Sequence, residues 1–279
     1  MSAQGMRLKA LLKNYAARCG VPAQVALQNY MFERFLERLS RSPYRDHFVI
    51  KGGMLVSHLM GLATRTTMDL DATLRRMPLT GEAVLQAVNA IAAIDLGDGT
   101  AFESIGMEPI RKDDVYGGFR VRLDALYDTL RTPLSIDIST GDAITPHPVE
   151  YEFGGMFGDE TKISLWGYNV ETILAEKVEA ILSLGTLSTR PRDFYDVYIL
   201  SRAGQFSPAM FKEALLATAE HRGTAAVLND AAERLDSLKQ SAALHAQWNV
   251  YSAKFPYARE ISLESTLAAV AELMAGWTP

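Results

Sequence analysis

The sequence has very little cysteine and histidine. Cys19 is the one cysteine among 279 residues, so the chain cannot form an internal disulfide. The five histidines are scattered, and none lies at metal-ligand spacing from Cys19. We therefore expect neither zinc binding nor thiol redox chemistry. Any metal site must be built from carboxylates, which suit hard ions such as magnesium.

Long hydrophobic runs are also missing. No stretch approaches the roughly 18 to 20 consecutive apolar residues that cross a bilayer. The first helix-like segment carries Arg7, Lys9 and Lys13 among its apolar residues, so it has no signal-peptide core. Apolar residues still make up 48% of the chain, enough to form the core of one large domain or two ordinary ones. We expect a globular cytoplasmic protein and, without a heptad pattern, a monomer.

An excess of basic residues is absent as well. The formal net charge is −5, which argues against a surface that binds nucleic acid over its whole extent. A local basic cleft and an ordinary solvated surface both remain open. The basic residues that would form such a cleft are Arg65, Arg75, Arg76, Arg111, Lys112, Arg120, Arg122, Arg190 and Arg192.

Hydrophobic periodicity divides the chain into an α/β part at residues 1–165 and a helical part at 166–279. In the second predicted helix, Arg34 and Arg38 occupy solvent-edge positions. The predicted helices are 6–19, 23–41, 54–62, 82–94, 170–184, 192–202, 208–220, 223–239 and 261–276, and the predicted strands are 48–50, 67–74, 101–107, 118–126 and 134–139.

Two features of the α/β part point to phosphate and metal chemistry. Gly52-Gly53 ends a short apolar strand and opens a helix, where free backbone N–H groups can meet phosphate oxygens. Asp69 and Asp71 follow on one face of a predicted strand, about 6 to 7 Å apart, within reach of one divalent ion or a close pair. Each feature alone also fits an ordinary turn or a solvated strand face. Together they are more specific, and Asp137 projects from the polar face of a further strand.

The helical part contains a lysine and a pair of aspartates that call for explanation. Lys177 lies in the middle of the apolar stripe of its helix, where a charge is costly without a partner. It either extends its ammonium to water or delivers a cation to phosphates. Asp193 and Asp196 lie on adjacent turns near a helix start, where acidic residues also favour the dipole. Arg192 beside them either clamps a phosphate or pairs with a carboxylate.

Four motifs lie along the chain, at residues 48–53, 65–71, 171–177 and 190–200. Their order and spacing resemble those of the AbiEii/AbiGii toxin family. The resemblance extends from about residue 25 to 202 and includes Gly117-Gly118-Phe119-Arg120 and Ile136-Asp137-Ile138. Many nucleotidyltransferases have Gly-Ser where this chain has Gly52-Gly53, so a hydroxyl contact to phosphate is absent here. The four motifs are Phe48-Val49-Ile50-Lys51-Gly52-Gly53, Arg65-Thr66-Thr67-Met68-Asp69-Leu70-Asp71, Glu171-Thr172-Ile173-Leu174-Ala175-Glu176-Lys177 and the segment from Arg190 to Leu200.

The resemblance implies an α+β fold: a polymerase-β-like nucleotidyltransferase core, with a mixed sheet and flanking helices, followed by a helical C-terminal domain that completes the active site. It also assigns roles to residues of this chain. The implied catalytic residues are Asp69, Asp71, Lys177, Asp193 and Asp196; the nucleotide-binding residues are Lys51, Gly52, Gly53, Arg65, Thr66, Thr67 and Arg192; the metal-binding residues are Asp69, Asp71 and Asp137, with Mg²⁺ or Mn²⁺ as the ion.

The function implied by the resemblance is that of a toxin in a bacterial abortive-infection system, restrained by a separately encoded AbiEi-type antitoxin. It would transfer a nucleotide from a nucleoside triphosphate, GTP or CTP, to the 3′ end of tRNA and so block translation. Two alternatives remain at this point. The chain could bind GTP or another nucleoside triphosphate without chemistry, or it could nucleotidylate a protein hydroxyl.

Overall fold

The computed structural model describes residues 2–110, 117–158 and 162–277, so Arg111 and Lys112 of the predicted basic cleft lie outside the described residues. The chain forms two compact units. The first contains the chain up to Gly141 together with Val149–Gly167, and the second contains Asp142–Pro148 and the chain from Tyr168 onward. The predicted division was 1–165 and 166–279.

The first unit is built on one seven-stranded sheet. Its strands are β1 (Phe48–Lys51), β2 (Leu70–Leu74), β3 (Thr100–Ile110), β4 (Gly118–Tyr127), β5 (Leu130–Thr140), β6 (Val149–Gly154) and β7 (Lys162–Gly167). They lie in the order β3-β4-β5-β2-β1-β7-β6. The pairs β1–β7 and β2–β5 are parallel and the others antiparallel, which confirms the predicted mixed sheet. Strands β6 and β7 were not predicted from the sequence.

One face of the central strands is apolar and buried. Ile50, Ala72 and Ile138 lie side by side in the register of β1, β2 and β5, and all three are at most 1% exposed. Because successive side chains alternate between faces, their neighbours along the strands point to the opposite face. The helices of this unit are α1 (Ala3–Cys19), α2 (Ala23–Ser40), α3 (Gly52–Met60) and α4 (Gly81–Ala92), and α2 contacts β5 and β7.

The prediction that Arg34 and Arg38 lie at the solvent edge of α2 is wrong. Both are buried, and Arg38 is 0% exposed. The Arg38 guanidinium donates two hydrogen bonds of 2.9 Å to the carboxylate of Asp98 and one of 2.6 Å to the backbone oxygen of Thr100. An arginine can be buried on an apolar face when its charge is paired and most of its N–H groups have partners; within the described residues, Nε of Arg38 has none.

The second unit is helical, as predicted. A short 3₁₀ helix at Ala225–Asp230 replaces the first part of the helix predicted at 223–239, and α9 was not predicted. Within the described residues, no helix is both long and apolar enough to cross a membrane. The helices are α5 (Val170–Leu184), α6 (Pro191–Ala203), α7 (Pro208–His221), α8 (Ala231–Lys239), α9 (Ala242–Lys254) and α10 (Leu263–Met274).

Asn169 joins the segment Asp142–Pro148 to the start of α5. Its side-chain oxygen accepts a hydrogen bond of 2.7 Å from the backbone N–H of Thr172, which caps the helix. Its amide nitrogen donates to the backbone oxygens of Thr145 and His147, each at 2.9 Å. One buried side chain therefore satisfies three backbone groups.

We expect Asn169→Ala to destabilise the helical unit by about 1–3 kcal/mol. It removes a helix cap and the donor to the His147 carbonyl, and it leaves the Thr145 carbonyl with only the Thr172 hydroxyl, at 3.3 Å. The matched control is Ser262→Ala, which removes only an exposed cap on α10 and should cost about 1 kcal/mol or less. Urea unfolding followed by circular dichroism measures both. Equal midpoints for the two variants would contradict a role for Asn169 beyond capping.

Candidate functional site

A row of charged side chains crosses the sheet of the first unit. The strand registers pair Lys51 with Asp71, Asp71 with Asp137, and Asp137 with Arg120. Side chains paired in register on neighbouring strands share a face. The row therefore lies opposite the apolar face that contains Ile50, with two adjacent carboxylates between two cations.

Asp71 lies against the glycine turn that begins α3. A Cβ atom on Gly52 would lie 2.1 Å from Oδ2 of Asp71, and Gly52 has a φ of +63°. Both the positive φ and the missing side chain are thus required for this contact. The backbone N–H of Gly53 donates a hydrogen bond to the Asp71 carboxylate. The turn predicted to meet phosphate therefore contacts an aspartate oxygen.

The pKa of the Asp71 carboxyl group is raised overall. Burial raises the pKa of Asp71, and the negative charges of Asp137 and Asp69 raise it further. The charge of Lys51 and the hydrogen bond from Gly53 act in the opposite direction. The Lys51 ammonium also donates a hydrogen bond of 2.7 Å to Oγ of Ser139. A bound cation would relieve the repulsion among the carboxylates.

Asp69 does not lie on a strand. The prediction of a strand from Thr67 is wrong, because β2 begins at Leu70. Oγ1 of Thr67 instead accepts a hydrogen bond from the backbone N–H of Asp69 and donates one to its backbone oxygen, at 3.4 and 3.1 Å. This turn chemistry competes with the sheet. Asp69 is exposed just before the strand, two residues from Asp71.

Arg65, Thr66 and Thr67, all predicted to bind nucleotide, are buried. Arg65 is 1% exposed and donates to the backbone oxygen of Thr66. A Cβ atom on Gly53 would lie 2.7 Å from Oγ1 of Thr67 and 3.2 Å from Nη2 of Arg65. These residues pack around the glycine turn, and their contact with a nucleotide stays a prediction.

The sequence analysis missed two residues of α2 that hold this segment in place. Nδ2 of Asn29 donates to the backbone oxygen of Thr67 at 2.9 Å, and Nε2 of Gln28 donates to that of Met68 at 2.8 Å. Both side chains are buried. The available signal was that Gln28 and Asn29 are adjacent amide residues in a helix with an apolar face. Buried amides need hydrogen-bond partners, so their presence indicates polar contacts with another segment.

Asp137 has an arginine as its partner. Nε and Nη2 of Arg120 donate to Oδ1 and Oδ2 of Asp137, both at 2.7 Å. Over the described ranges, no group of three or more histidine, cysteine, aspartate or glutamate side chains has an arrangement that could hold a metal ion. The other carboxylates near this row are those of Asp71, which is paired in register with Asp137, and of the exposed Asp69. Their oxygens match the ligands of a hard divalent cation.

Lys177, Asp193 and Asp196 form a buried cluster in the second unit. The Lys177 ammonium lies 2.9 Å from Oδ1 of Asp193 and 2.8 Å from Oδ2 of Asp196. The ammonium therefore has two carboxylate partners in the protein, which the sequence interpretation of an ammonium extended to water did not include. Arg190 pairs with Asp193 at 2.9 Å, and Arg192 is half-buried in the first turn of α6. The predicted contacts of this cluster with phosphate stay predictions.

Several of the arginines that a basic cleft would use have partners in the protein. Arg122 pairs with Glu108 at 2.5 Å, and Arg75 stacks over the ring of Trp166, 4.5 Å from its centre. Arg120 and Arg190 are paired with aspartates, as described above. The ion pairs with carboxylates reduce the positive charge that a basic cleft would present.

Comparison with known proteins identifies related sequences and folds. A family model described as the nucleotidyl transferase AbiEii toxin of type IV toxin–antitoxin systems matches residues 34–272. A candidate nucleotidyltransferase from H. pylori is similar in structure, with a TM-score of 0.54, 18% identity and coverage of 91% of this chain and 94% of that chain. JHP933 from Helicobacter pylori gives a TM-score of 0.53 at 18% identity and 91% coverage of each chain. No curated protein sequence matches. The structural likenesses confirm the predicted nucleotidyltransferase-like core.

We expect Gly52→Ala to cost roughly 2–5 kcal/mol of stability, because it adds backbone strain at positive φ and a side-chain clash with Asp71. Gly20→Ala is the matched control. Gly20 has a φ of +66°, and a Cβ there would meet nothing within 4 Å, so this variant carries the backbone strain alone. Thermal unfolding of both proteins measures the difference. A loss no larger at Gly52 than at Gly20 would refute the steric requirement.

We expect Asp71→Asn to stabilise the metal-free protein at neutral pH. The pKa of Asp71 is higher in the folded than in the unfolded chain, so its ionisation destabilises the fold as pH rises above about 4. The gain in Tm in EDTA should therefore be largest at neutral pH and shrink as pH falls toward 4.

Asp98→Asn is the control of opposite sign. Burial alone would raise the pKa of Asp98, but the hydrogen bonds from Arg38 and the Thr100 backbone lower it overall. This substitution should therefore lower Tm at neutral pH. A lower Tm for Asp71→Asn at neutral pH would show that its carboxylate stabilises the fold after all.

Proposed function

This chain belongs to the AbiEii family of nucleotidyl transferase toxins, and we propose that it is a metal-dependent enzyme that transfers a nucleotide from a nucleoside triphosphate, GTP or CTP, to the 3′ end of tRNA. Addition there would block translation. The cognate partner that restrains it would be an AbiEi-type antitoxin, as the type IV toxin–antitoxin description of the family supports.

The observation that carries the proposal is the contact between Asp71 and the turn at Gly52-Gly53. It brings a carboxylate and the backbone N–H groups of a helix start to one place, as a metal-bound triphosphate requires. Asp69, exposed two residues earlier, supplies a second carboxylate. The pairing of these groups supports phosphate chemistry more specifically than either alone.

The residues of the first unit would bind and orient the donor. Asp69 and Asp71 would hold Mg²⁺ or Mn²⁺, and Gly52 and Gly53 allow a phosphate to approach the backbone. The ion would lower the pKa of the attacking hydroxyl and stabilise the leaving pyrophosphate. Lys51, which faces Asp71 across the strand pair, would offset the remaining negative charge.

The reaction would be an in-line displacement. The tRNA 3′ hydroxyl oxygen forms a bond to the α-phosphorus while the bond from that phosphorus to the bridging oxygen breaks. Pyrophosphate leaves and the hydroxyl proton passes to solvent. Such transfers depend on positioning and charge stabilisation more than on covalent participation of the protein.

We expect Asp69→Ala and Asp71→Ala each to lower the transfer rate by at least about 10²–10³-fold, the scale of a single electrostatic stabiliser. The measurement is incubation of each purified protein with Mg²⁺, total RNA and each of the four α-labelled nucleoside triphosphates in turn. Label in a tRNA-sized band, lost in both variants, is the expected result.

The matched control is Glu103→Gln, which neutralises an exposed carboxylate on the edge strand β3 and should leave the rate unchanged. Label in protein rather than RNA would replace tRNA with a protein hydroxyl as the acceptor. No label in either, with the nucleotide still bound, would overturn the enzyme proposal in favour of a nucleotide-binding toxin.

A further inference from the structure

The ion pair between Arg120 and Asp137 has a geometry that leaves Asp137 little capacity as a metal ligand. Both carboxylate oxygens accept a hydrogen bond of 2.7 Å from the same guanidinium, through its Nε and Nη2 edge. This is the two-point arrangement that makes arginine–carboxylate pairs strong and directional. A cation could use only the remaining lone pair of each oxygen, and it would be repelled there by the adjacent guanidinium charge.

The other edge of the Arg120 guanidinium faces away from Asp137. Its Nη1 group carries two N–H donors, and neither has a hydrogen-bond partner within residues 2–110, 117–158 and 162–277. The side chain is 40% exposed, so these donors are accessible. Arg120 is thus held firmly on one side and offers charged donors on the other.

Arg120 lies within electrostatic range of Asp69, one of the two proposed metal ligands, and of Glu108. The charge of Asp69 contributes to raising the pKa of Arg120, after the larger effects of the hydrogen bond and charge of Asp137. Asp137 lies one strand from Asp71, about 5 Å away by strand spacing, and Arg120 one strand further. A polyphosphate bound to a cation at Asp69 and Asp71 would therefore extend within reach of a guanidinium.

We propose that Arg120 binds the triphosphate of the donor nucleotide through its Nη1 edge. In this proposal Asp137 is a positioning residue that holds Arg120, and it is not a third metal ligand. The inference rests on the proposed function and adds a specific phosphate contact to it. Planar guanidinium donors suit phosphate oxygens, and a preformed pair loses less side-chain entropy on binding. It also replaces the sequence-based assignment of Asp137 to the metal.

The test measures binding, with Mn²⁺ and inorganic tripolyphosphate as probes. Mn²⁺ affinity is measured by electron paramagnetic resonance, and tripolyphosphate affinity by calorimetry in saturating Mn²⁺. We expect Arg120→Gln to weaken tripolyphosphate binding about tenfold, as loss of a charge-assisted contact does, without weakening Mn²⁺ binding. Asp137→Asn should leave Mn²⁺ affinity within about twofold, whereas Asp71→Asn should lower it at least tenfold.

The double variant separates positioning from general stabilisation. If Asp137 acts through Arg120, then Arg120→Gln/Asp137→Asn should bind tripolyphosphate as weakly as Arg120→Gln alone. Arg122→Gln is the matched control: Arg122 lies two residues along β4, is 57% exposed and pairs with Glu108. It should leave both affinities unchanged, and circular dichroism verifies that each variant is folded.

Three results would overturn the inference. Asp137→Asn could lower Mn²⁺ affinity as much as Asp71→Asn, which would make Asp137 a metal ligand. Arg120→Gln could bind tripolyphosphate like Arg122→Gln, which would leave Arg120 as a counter-ion only. The parent protein could bind neither probe. None of these measurements requires nucleotide transfer, so a chain that binds as expected but labels nothing would refute the enzyme proposal alone.

Discussion

The space left by the missing side chain of Gly52 determines the arrangement of the proposed site. Antiparallel pairing of β1 with β2 places Asp71 opposite Lys51, next to the residue at which the chain turns into α3. The carboxylate oxygen lies where a Cβ of residue 52 would be. Because that residue also has a positive φ, glycine satisfies both demands at once. The parallel pairing of β2 with β5 then sets Asp137 beside Asp71, and Arg120 follows from the next strand.

The features that could be predicted from the sequence are those that depend on local patterns. Strand β2 and strand β5 were found because Leu70, Ala72 and Ile136 alternate with polar residues, and alternation is what a half-buried strand requires. Gly52-Gly53 was recognised as a strand-to-helix turn for a similar reason. The position of Lys177 on an apolar stripe indicated that its charge needs a partner. The structure identifies two partners, Asp193 and Asp196.

The features that could not be predicted depend on partners distant in sequence. From the pattern of its own helix, Arg38 is predicted to lie at the solvent edge. It is buried because the fold places Asp98, 60 residues away in sequence, beside it. The pairing of Arg120 with Asp137 requires the register of β4 and β5. Asp69 was placed on a strand because alternation continues through Thr67, while the Thr67 hydroxyl favours a turn there. Local periodicity carries no information about these long-range contacts.

Both units place carboxylates beside basic side chains in a partly buried setting. In the second unit, Lys177 lies between Asp193 and Asp196 and offsets much of their negative charge. In the first unit, Arg120 does this for Asp137, but Asp71 retains a raised pKa despite Lys51. A buried carboxylate whose protein partners do not fully compensate it gains most from an added cation. The charge of Asp71 is offset less completely by its protein neighbours than that of Asp137, which is paired with Arg120. For this reason Asp71, and not Asp137, is the centre of the proposed metal site.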